Sequence, residues 1–156
     1  KASDGCVVLA NQDLDAISKN LQIGLTPVII SNSIEWLSLD DWQAERGALK
    51  KQIEQWRADW ESRNSDQYLA HYAARFHSDG QSLAEWSEHK RKVNAGKEWI
   101  KVGLSKVAML QDPREKFVVV SFDQDYRSSN LSNVMRKRQY WVKEDGRWRI
   151  LYEGSA

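Results

Sequence analysis

The sequence has one cysteine, two prolines and no long apolar run among its 156 residues. A single cysteine excludes an intrachain disulfide bond. The longest apolar stretches, such as Val28–Ile30 and Phe117–Val120, are far shorter than the roughly 20 residues of a membrane-spanning helix, so no transmembrane segment is expected. The chain also lacks a large excess of either positive or negative charge, since 23 Lys and Arg nearly balance 22 Asp and Glu and leave a net charge of +1. This balance argues against nucleic acid as a partner.

Aromatic side chains are abundant by contrast, with eight tryptophans and five tyrosines. The hydrophobic share of 41% and charged share of 29% are typical of a soluble globular domain. The length fits one domain, or one domain with a fragment of another. Because Cys6 lacks companions at metal-ligand spacing, no metal site is expected, and no cofactor is expected either.

The first 35 residues predict a strand-helix-strand unit. Cys6–Leu9 is a short apolar run typical of a buried strand, and Asn11 is the predicted N-cap of a helix over roughly residues 12–20. Thr26–Ile30 predicts a second strand. Since no strands upstream are present to pair with this unit, we expect it to be the end of a larger domain.

Three helices are predicted after this unit. Ser38 and Asp41 have the spacing of a capping box, at the start of a helix that reaches about Arg63. Ser82 and Glu85 form a second capping box and begin a helix that ends near Gly96. Between them, Ser65 is the predicted cap of a helix whose inward side chains are Tyr68, Leu69, Tyr72, Ala73 and Phe76. The first helix carries an apolar stripe of Leu49, Ile53, Trp56 and Trp60.

The rest of the chain predicts four strands joined by hairpin-like turns. They cover about residues 98–111, 114–127, 133–144 and 147–153. Three helices followed by an antiparallel meander form an α+β arrangement, in which the helices cover one face of the sheet.

The opening residues resemble the active-site signature of the L,D-transpeptidases, which reads Ser/Thr-His-Gly-Cys. The matching stretch is Ser3-Asp4-Gly5-Cys6, followed by Val7-Val8-Leu9, with Asp4 in place of the second histidine and Val8 in place of Arg or Asn. The resemblance continues to about Ile30. It implies that residues 1–35 are the C-terminal remnant of a catalytic domain that performs acyl transfer on peptidoglycan stem peptides.

In that family the cysteine is the nucleophile, so the resemblance implies catalytic roles for Cys6 and for Gly5 and Ser3 in its turn. The family's general-base histidine lies upstream of the cysteine, outside this chain. We therefore expect the fragment alone to be inactive, although its parent is a cysteine enzyme.

Residues from about 44 to 153 resemble a nuclear transport factor 2-like (NTF2-like, or SnoaL-like) domain. The resemblance rests on Trp56–Trp60, Tyr68 with Tyr72 and Phe76, the alternation of Phe122, Gln124 and Tyr126, Lys137, and Gly146–Leu151. It implies a cone, in which three helices pack on a curved antiparallel sheet, and a homodimer formed through the outer face of that sheet. The implied organisation is a remnant over residues 1–35, a linker and helix start over 36–43, and an NTF2-like domain over 44–156.

Strand alternation predicts which side chains face the helices. The predicted interior residues are Trp56, Trp60, Tyr68, Tyr72, Phe122, Gln124, Tyr126, Lys137, Trp141 and Tyr152. Aromatic surface with a few amides, hydroxyls and one ammonium suits a sugar or peptide ligand. Two interpretations stay open, because the same residues either line a ligand pocket or simply fill the cone.

The sequence thus predicts an accessory binding or dimerisation domain of an L,D-transpeptidase-type cell-wall enzyme, with peptidoglycan or a peptide or sugar fragment as partner. The resemblance implies a periplasmic or cell-envelope location. One alternative is a small-molecule enzyme of isomerase or cyclase type, which requires a carboxylate or imidazole facing into the cone. The other is a purely structural dimerisation domain with a filled interior.

Overall fold

A computed structural model describes residues 7–23, 26, 28–30, 32–111 and 116–156. The chain forms two compact units, Lys1–Asn32 and Ser33–Ala156. The predicted catalytic residues Cys6, Gly5 and Ser3 lie outside the described residues. No helix in the described part of the chain is long and apolar enough to cross a membrane.

The first unit contains a helix, α1, over Asn11–Ser18, with Ala10 rather than Asn11 as its N-cap. The two predicted strands are not observed in the described residues, since 7–10 and 28–30 have no regular secondary structure. An apolar pattern of this kind favours a strand, but a strand also needs a neighbour for its backbone hydrogen bonds. The described residues of this unit supply no such neighbour.

Two helices of the second unit begin at their predicted caps, and a third does not. Helix α2 spans Leu39–Glu61, and the Ser38 hydroxyl accepts a hydrogen bond from the backbone N–H of Asp41 at 3.1 Å. Helix α3 is a short segment over Ser65–Leu69, and its N-cap is Asn64 rather than the predicted Ser65. Helix α4 spans Leu83–Ala95, and both halves of the predicted capping box are present.

Six strands form one sheet in the described part of the second unit. They are β1 (Tyr72–Ser78), β2 (Gln81–Ser82), β3 (Ile100–Gln111), β4 (Phe117–Ser128), β5 (Leu131–Glu144) and β6 (Arg147–Ser155), in the order β2-β1-β6-β5-β4-β3. The four predicted strands are confirmed as the meander β3 to β6. The sheet is not wholly antiparallel, because β1 pairs with β6 in parallel.

The second predicted helix was too long. It ends at Leu69, and Tyr72, Ala73 and Phe76 lie on strand β1. Tyr72 and Phe76 are four residues apart, a spacing that places two side chains on one face of either a helix or a strand. Periodicity alone therefore could not distinguish the two.

The core lies between α2 and the sheet. The buried stripe of α2 starts at Leu49 and ends at Trp60, whereas the preceding turns, residues 39–48, are exposed. Trp56 is fully buried, and its ring centroid is 6.1 Å from that of Phe122 on β4. Trp60 packs against Tyr126, with 5.2 Å between the two ring centroids. The aromatic residues predicted to face the helices from β4 do so.

A bulge on β6 reverses one part of the predicted interior. Tyr140 pairs with Tyr152, but the next residue, Trp141, pairs with Ile150, so Leu151 is an extra residue on β6. Beyond a bulge the alternation of faces is inverted. Tyr152 therefore lies on the outer face, where its ring is 5.0 Å from that of Tyr140, and its prediction as an interior residue was wrong. Glu153 faces inward in its place and is 1% exposed.

Candidate functional site

Five polar side chains meet in the aromatic interior between the sheet and the helices, and a sixth, Lys90, lies half-buried at its edge. They are called the interior cluster here: Tyr68, Tyr72, Lys90, Lys137, Gln139 and Glu153. They come from α3, β1, α4, β5 and β6. The cluster is thus assembled by tertiary packing from segments that are far apart in the chain.

Glu153 is the centre of the cluster. Its Oε2 accepts hydrogen bonds from Gln139 Nε2 at 2.8 Å and from the Tyr72 hydroxyl at 3.2 Å. Its Oε1 lies 3.8 Å from Lys137 Nζ. The indole N–H of Trp141 donates to Gln139 Oε1 at 3.0 Å, which turns the amide N–H₂ toward Glu153. A buried carboxylate needs such partners, because an unpaired charge is very costly in an apolar interior.

The hydroxyl groups of Tyr68 and Tyr72 act as hydrogen-bond donors. Their hydroxyl oxygens are 2.6 Å apart, and the Trp56 indole N–H donates to the Tyr72 hydroxyl at 3.3 Å. Because Tyr72 donates to Glu153, Tyr68 is the donor to Tyr72. Burial, and then the negative charge of Glu153, raises the pKa of both phenols well above its ordinary value of 10.0. Both side chains are therefore neutral donors at physiological pH.

Lys90 brings a second ammonium to the cluster. Its Nζ lies 4.3 Å from the ring centroid of Trp86 and 5.3 Å from that of Trp60. Burial lowers the pKa of Lys90; attraction to Glu153 opposes this shift, and repulsion from Lys137 adds to it. No carboxylate of the described residues lies within ion-pair distance of this ammonium. Indole faces hold a cation without neutralising it, so Lys90 stays available to an anionic group.

Four further polar atoms are buried without a hydrogen-bond partner among the described residues. They are Asn94 Oδ1 on α4 and, in the aromatic interior, Gln124 Oε1 and the indole N–H groups of Trp60 and Trp86. Most buried polar atoms in proteins have a partner. The indoles of Trp60 and Trp86 lie beside Lys90. Near the Lys90 ammonium and the Glu153 carboxylate, the interior therefore also offers two N–H donors from these indoles and one acceptor, the Gln124 oxygen.

The structure brings together most of the residues that the sequence predicted for this interior. Eight of them are buried: Trp56, Trp60, Tyr68, Tyr72, Phe122, Gln124, Tyr126 and Trp141. The Lys137 side chain is 17% exposed, so the cluster reaches the surface there. That these residues bind a ligand stays a prediction.

Sequence reasoning missed Lys90 and Glu153. Lys90 follows Trp86 by four residues on α4, a spacing that places both side chains on one helix face and that could have indicated it. Glu153 had no comparable signal, because the bulge at Leu151 decides its direction.

The buried imidazole of His71 is occupied by other contacts. Its Nε2 lies 2.6 Å from Asp59 Oδ2, and its Nδ1 lies 2.9 Å from Gln52 Nε2. Since the Gln52 amide nitrogen donates, Nδ1 accepts and Nε2–H donates to Asp59. Both ring nitrogens are thus used to tie α2 to the start of β1, and His71 is not a candidate proton acceptor for a ligand.

Comparison with known proteins identifies the fold. The sequence model of the family described as the Cds6 C-terminal NTF2-like domain matches residues 48–154. The chain belongs to this family. Its six-stranded sheet with helices, in the described residues, is accordingly an NTF2-like domain of the α+β class, which confirms the NTF2-like part of the predicted fold. No curated protein matches the chain significantly.

Solved structures agree with this assignment. Bd1075 of Bdellovibrio bacteriovorus has a TM-score of 0.84 and 27% identity, over 99% of this chain and 55% of Bd1075. The K307A mutant of Pgp2, a helical cell shape determining protein of Campylobacter jejuni, has a TM-score of 0.78 and 20% identity, over 96% of this chain and 53% of Pgp2. An NTF2-like protein of unknown function from Pseudomonas putida has a TM-score of 0.61 and 13% identity, over 71% of this chain and 84% of that protein. The chain spans about half the length of the first two proteins.

The hydrogen bonds of Tyr72 can be tested by removing its hydroxyl. The variant Tyr72→Phe leaves the hydroxyl of Tyr68, the indole of Trp56 and one lone pair of Glu153 without a buried partner. We expect the free energy of unfolding to fall by about 1 to 3 kcal/mol. Urea denaturation followed by fluorescence measures it.

The matched control is Tyr152→Phe on the outer face, whose hydroxyl forms no hydrogen bond with the described residues. It should change the free energy by less than about 0.5 kcal/mol. Equal losses in both variants would contradict the role given to Tyr72.

Proposed function

We propose that this NTF2-like domain is the accessory binding module of a larger cell-envelope protein of the L,D-transpeptidase type. Its ligand is a peptide fragment of peptidoglycan, bound in the interior cluster. The resemblance of residues 3–30 to the end of a transpeptidase catalytic domain supports this parentage. So does the likeness to two proteins of about twice the length, one of which is a helical cell shape determining protein. A periplasmic location follows from this proposal.

The observation that carries the proposal is the charge of the interior cluster. Lys137 lies 3.8 Å from the one carboxylate, Glu153, and Lys90 adds a second ammonium over the indoles of Trp86 and Trp60, so the cluster holds one positive charge in excess. A stem peptide carries free carboxylates, which an ammonium over two indoles would meet in a site of low dielectric. The indole N–H groups of Trp60 and Trp86 and the Oε1 of Gln124, which have no partner among the described residues, match a peptide backbone, and the aromatic rings supply contact area.

The two lysines provide the direct test. We expect Lys90→Gln and Lys137→Gln each to weaken binding of a soluble stem tetrapeptide at least tenfold, or about 1.4 kcal/mol, because each removes a charge-assisted contact to a carboxylate. Isothermal titration calorimetry on the full chain measures the affinity. Lys92→Gln is the control, since Lys92 also lies on α4 but is exposed. Unchanged affinity in both interior variants would refute the proposal.

The pH dependence of the same titration separates Lys90 from ordinary lysines. An ammonium binds a carboxylate below its pKa and loses its charge above it. Because the pKa of Lys90 is lowered from 10.5, affinity should fall with rising pH before exposed lysines titrate. Lys90→Arg keeps its charge throughout, so its affinity should stay level over the same range. A wild-type profile as level as that of Lys90→Arg would show that Lys90 does not meet the carboxylate.

A second candidate function is proton-transfer catalysis on a small molecule. It is favoured by the inward carboxylate of Glu153, the group that an isomerase or cyclase requires. In that case Glu153 accepts a proton from one atom of the substrate and returns it to another, and the Tyr72 hydroxyl, no longer bound to a carboxylate while Glu153 is protonated, donates to the negative charge that develops on the substrate oxygen.

Glu153→Gln distinguishes the two candidates. The amide has nearly the same shape but cannot carry the proton, so a catalyst would lose at least a hundredfold in turnover. A binding module would keep or increase its affinity for the anionic peptide, because the change removes a negative charge from the site. Loss of peptide binding in a folded Glu153→Gln protein would count against the binding module.

The outer face of the sheet supports homodimerisation as part of the proposal. Four rings form a row across it, with centroid spacings of 5.5 Å from His77 to Tyr152, 5.0 Å from Tyr152 to Tyr140 and 4.9 Å from Tyr140 to Phe117. Aromatic side chains are enriched at protein interfaces. Sedimentation velocity should find a dimer that Tyr140→Glu converts to monomer; a wild-type monomer at high concentration would exclude this interface.

A further inference from the structure

A second site lies outside the interior cluster, in a groove between the first turns of α2 and the strands β3 and β6. The groove has a volume of about 620 Å³. Its polar and aromatic lining is Glu35, Trp42, Glu45, Arg46, Gln111 and Trp148. None of the six residues of the interior cluster lines it. The volume is within the range of about 300 to 1,000 Å³ that small-molecule sites occupy.

The groove exists because α2 is longer than the core requires. Its burial begins at Leu49, so the turns before that residue stand at the rim with Trp42 46% exposed. An exposed tryptophan at this position contributes little to the core. Its place on a concave surface therefore calls for another explanation.

Both indoles of the groove are held in place by cations. The guanidinium of Arg46 lies 5.0 Å from the ring centroid of Trp42, and Lys143 Nζ lies 5.0 Å from that of Trp148. Lys143 Nζ is also 3.7 Å from a carboxylate oxygen of Glu45. Cation–π contacts and an ion pair restrict the side chains, so less conformational entropy is lost when a ligand binds.

We propose that this groove binds a neutral oligosaccharide. Sugar rings present flat C–H faces that pack on indole, and their hydroxyls donate to carboxylates and amides such as Glu35 and Gln111. Two carboxylates of the lining, Glu35 and Glu45, are balanced by two cations, Arg46 in the lining and Lys143 beside Trp148, so the groove has no excess positive charge to attract an anionic ligand. The interior cluster, by contrast, holds one positive charge in excess. The two sites therefore suit the two parts of one polymer, the glycan here and the peptide inside.

The test uses the N-acetylglucosamine tetramer as its probe, a choice that rests on the proposed function. Calorimetry on the full chain should show saturable binding. Trp42→Ala should weaken it at least tenfold and Glu35→Gln by a smaller factor. Trp99→Ala is the matched control, because Trp99 is also 46% exposed but lies outside the groove, and it should bind as the wild type does. Circular dichroism checks that each variant is folded.

Several results would overturn the sugar site. The first is that the tetramer does not bind. The second is that Trp42→Ala and Trp99→Ala lose equal affinity for it. The third is that Lys90→Gln loses affinity for it, which would place the sugar in the interior cluster. Binding of an apolar peptide in place of the tetramer, with the same sensitivity to Trp42→Ala, would make the groove a protein-docking surface instead. If the protein binds the stem peptide but not the tetramer, the proposed function stands and the sugar site in the groove is refuted. If it binds the tetramer but not the stem peptide, the sugar site stands and the proposed function is refuted.

Discussion

The buried carboxylate of Glu153 is the constraint on which the arrangement of the interior depends. A charge that is 1% exposed in an aromatic core would be prohibitively costly without partners. Each neighbour has a geometry that follows from this need: Gln139 turns its amide nitrogen toward the carboxylate, Tyr72 points its hydroxyl there, and Lys137 supplies the opposite charge. Trp141, in turn, fixes the amide of Gln139.

Helix α2 has two parts with different physical roles. From Leu49 onward its apolar stripe is buried against the sheet and stabilises the fold through aromatic contacts such as that of Trp56 with Phe122. The exposed turns before Leu49 contribute little to the core but form one wall of the groove with Trp42. One helix thus packs Trp56 and Trp60 against the interior cluster and also forms one wall of the groove.

Local rules predicted a large part of the fold. Ser38 and Ser82 mark helix starts because a side-chain oxygen can satisfy an otherwise unpaired backbone N–H within one turn. The four long strands alternate clearly enough to be recognised, and Phe122, Gln124 and Tyr126 face inward as expected. The ambiguity at Tyr72 and Phe76 shows the limit of this approach, since a spacing of four fits two periods.

The sequence by itself determined the helix caps, the long strands and the aromatic character of the interior, because each depends on residues that are close together in the chain. Only the tertiary structure decided which charged groups enter that interior. The pairing of β5 with β6 makes Leu151 a bulge, and this single extra residue turns Glu153 inward and Tyr152 outward. Lys90 joins Glu153 and Lys137 because α4 packs against β1, a contact between segments that no local pattern relates. A register shift inverts every later side chain on a strand, so long-range pairing controls the chemistry of the site.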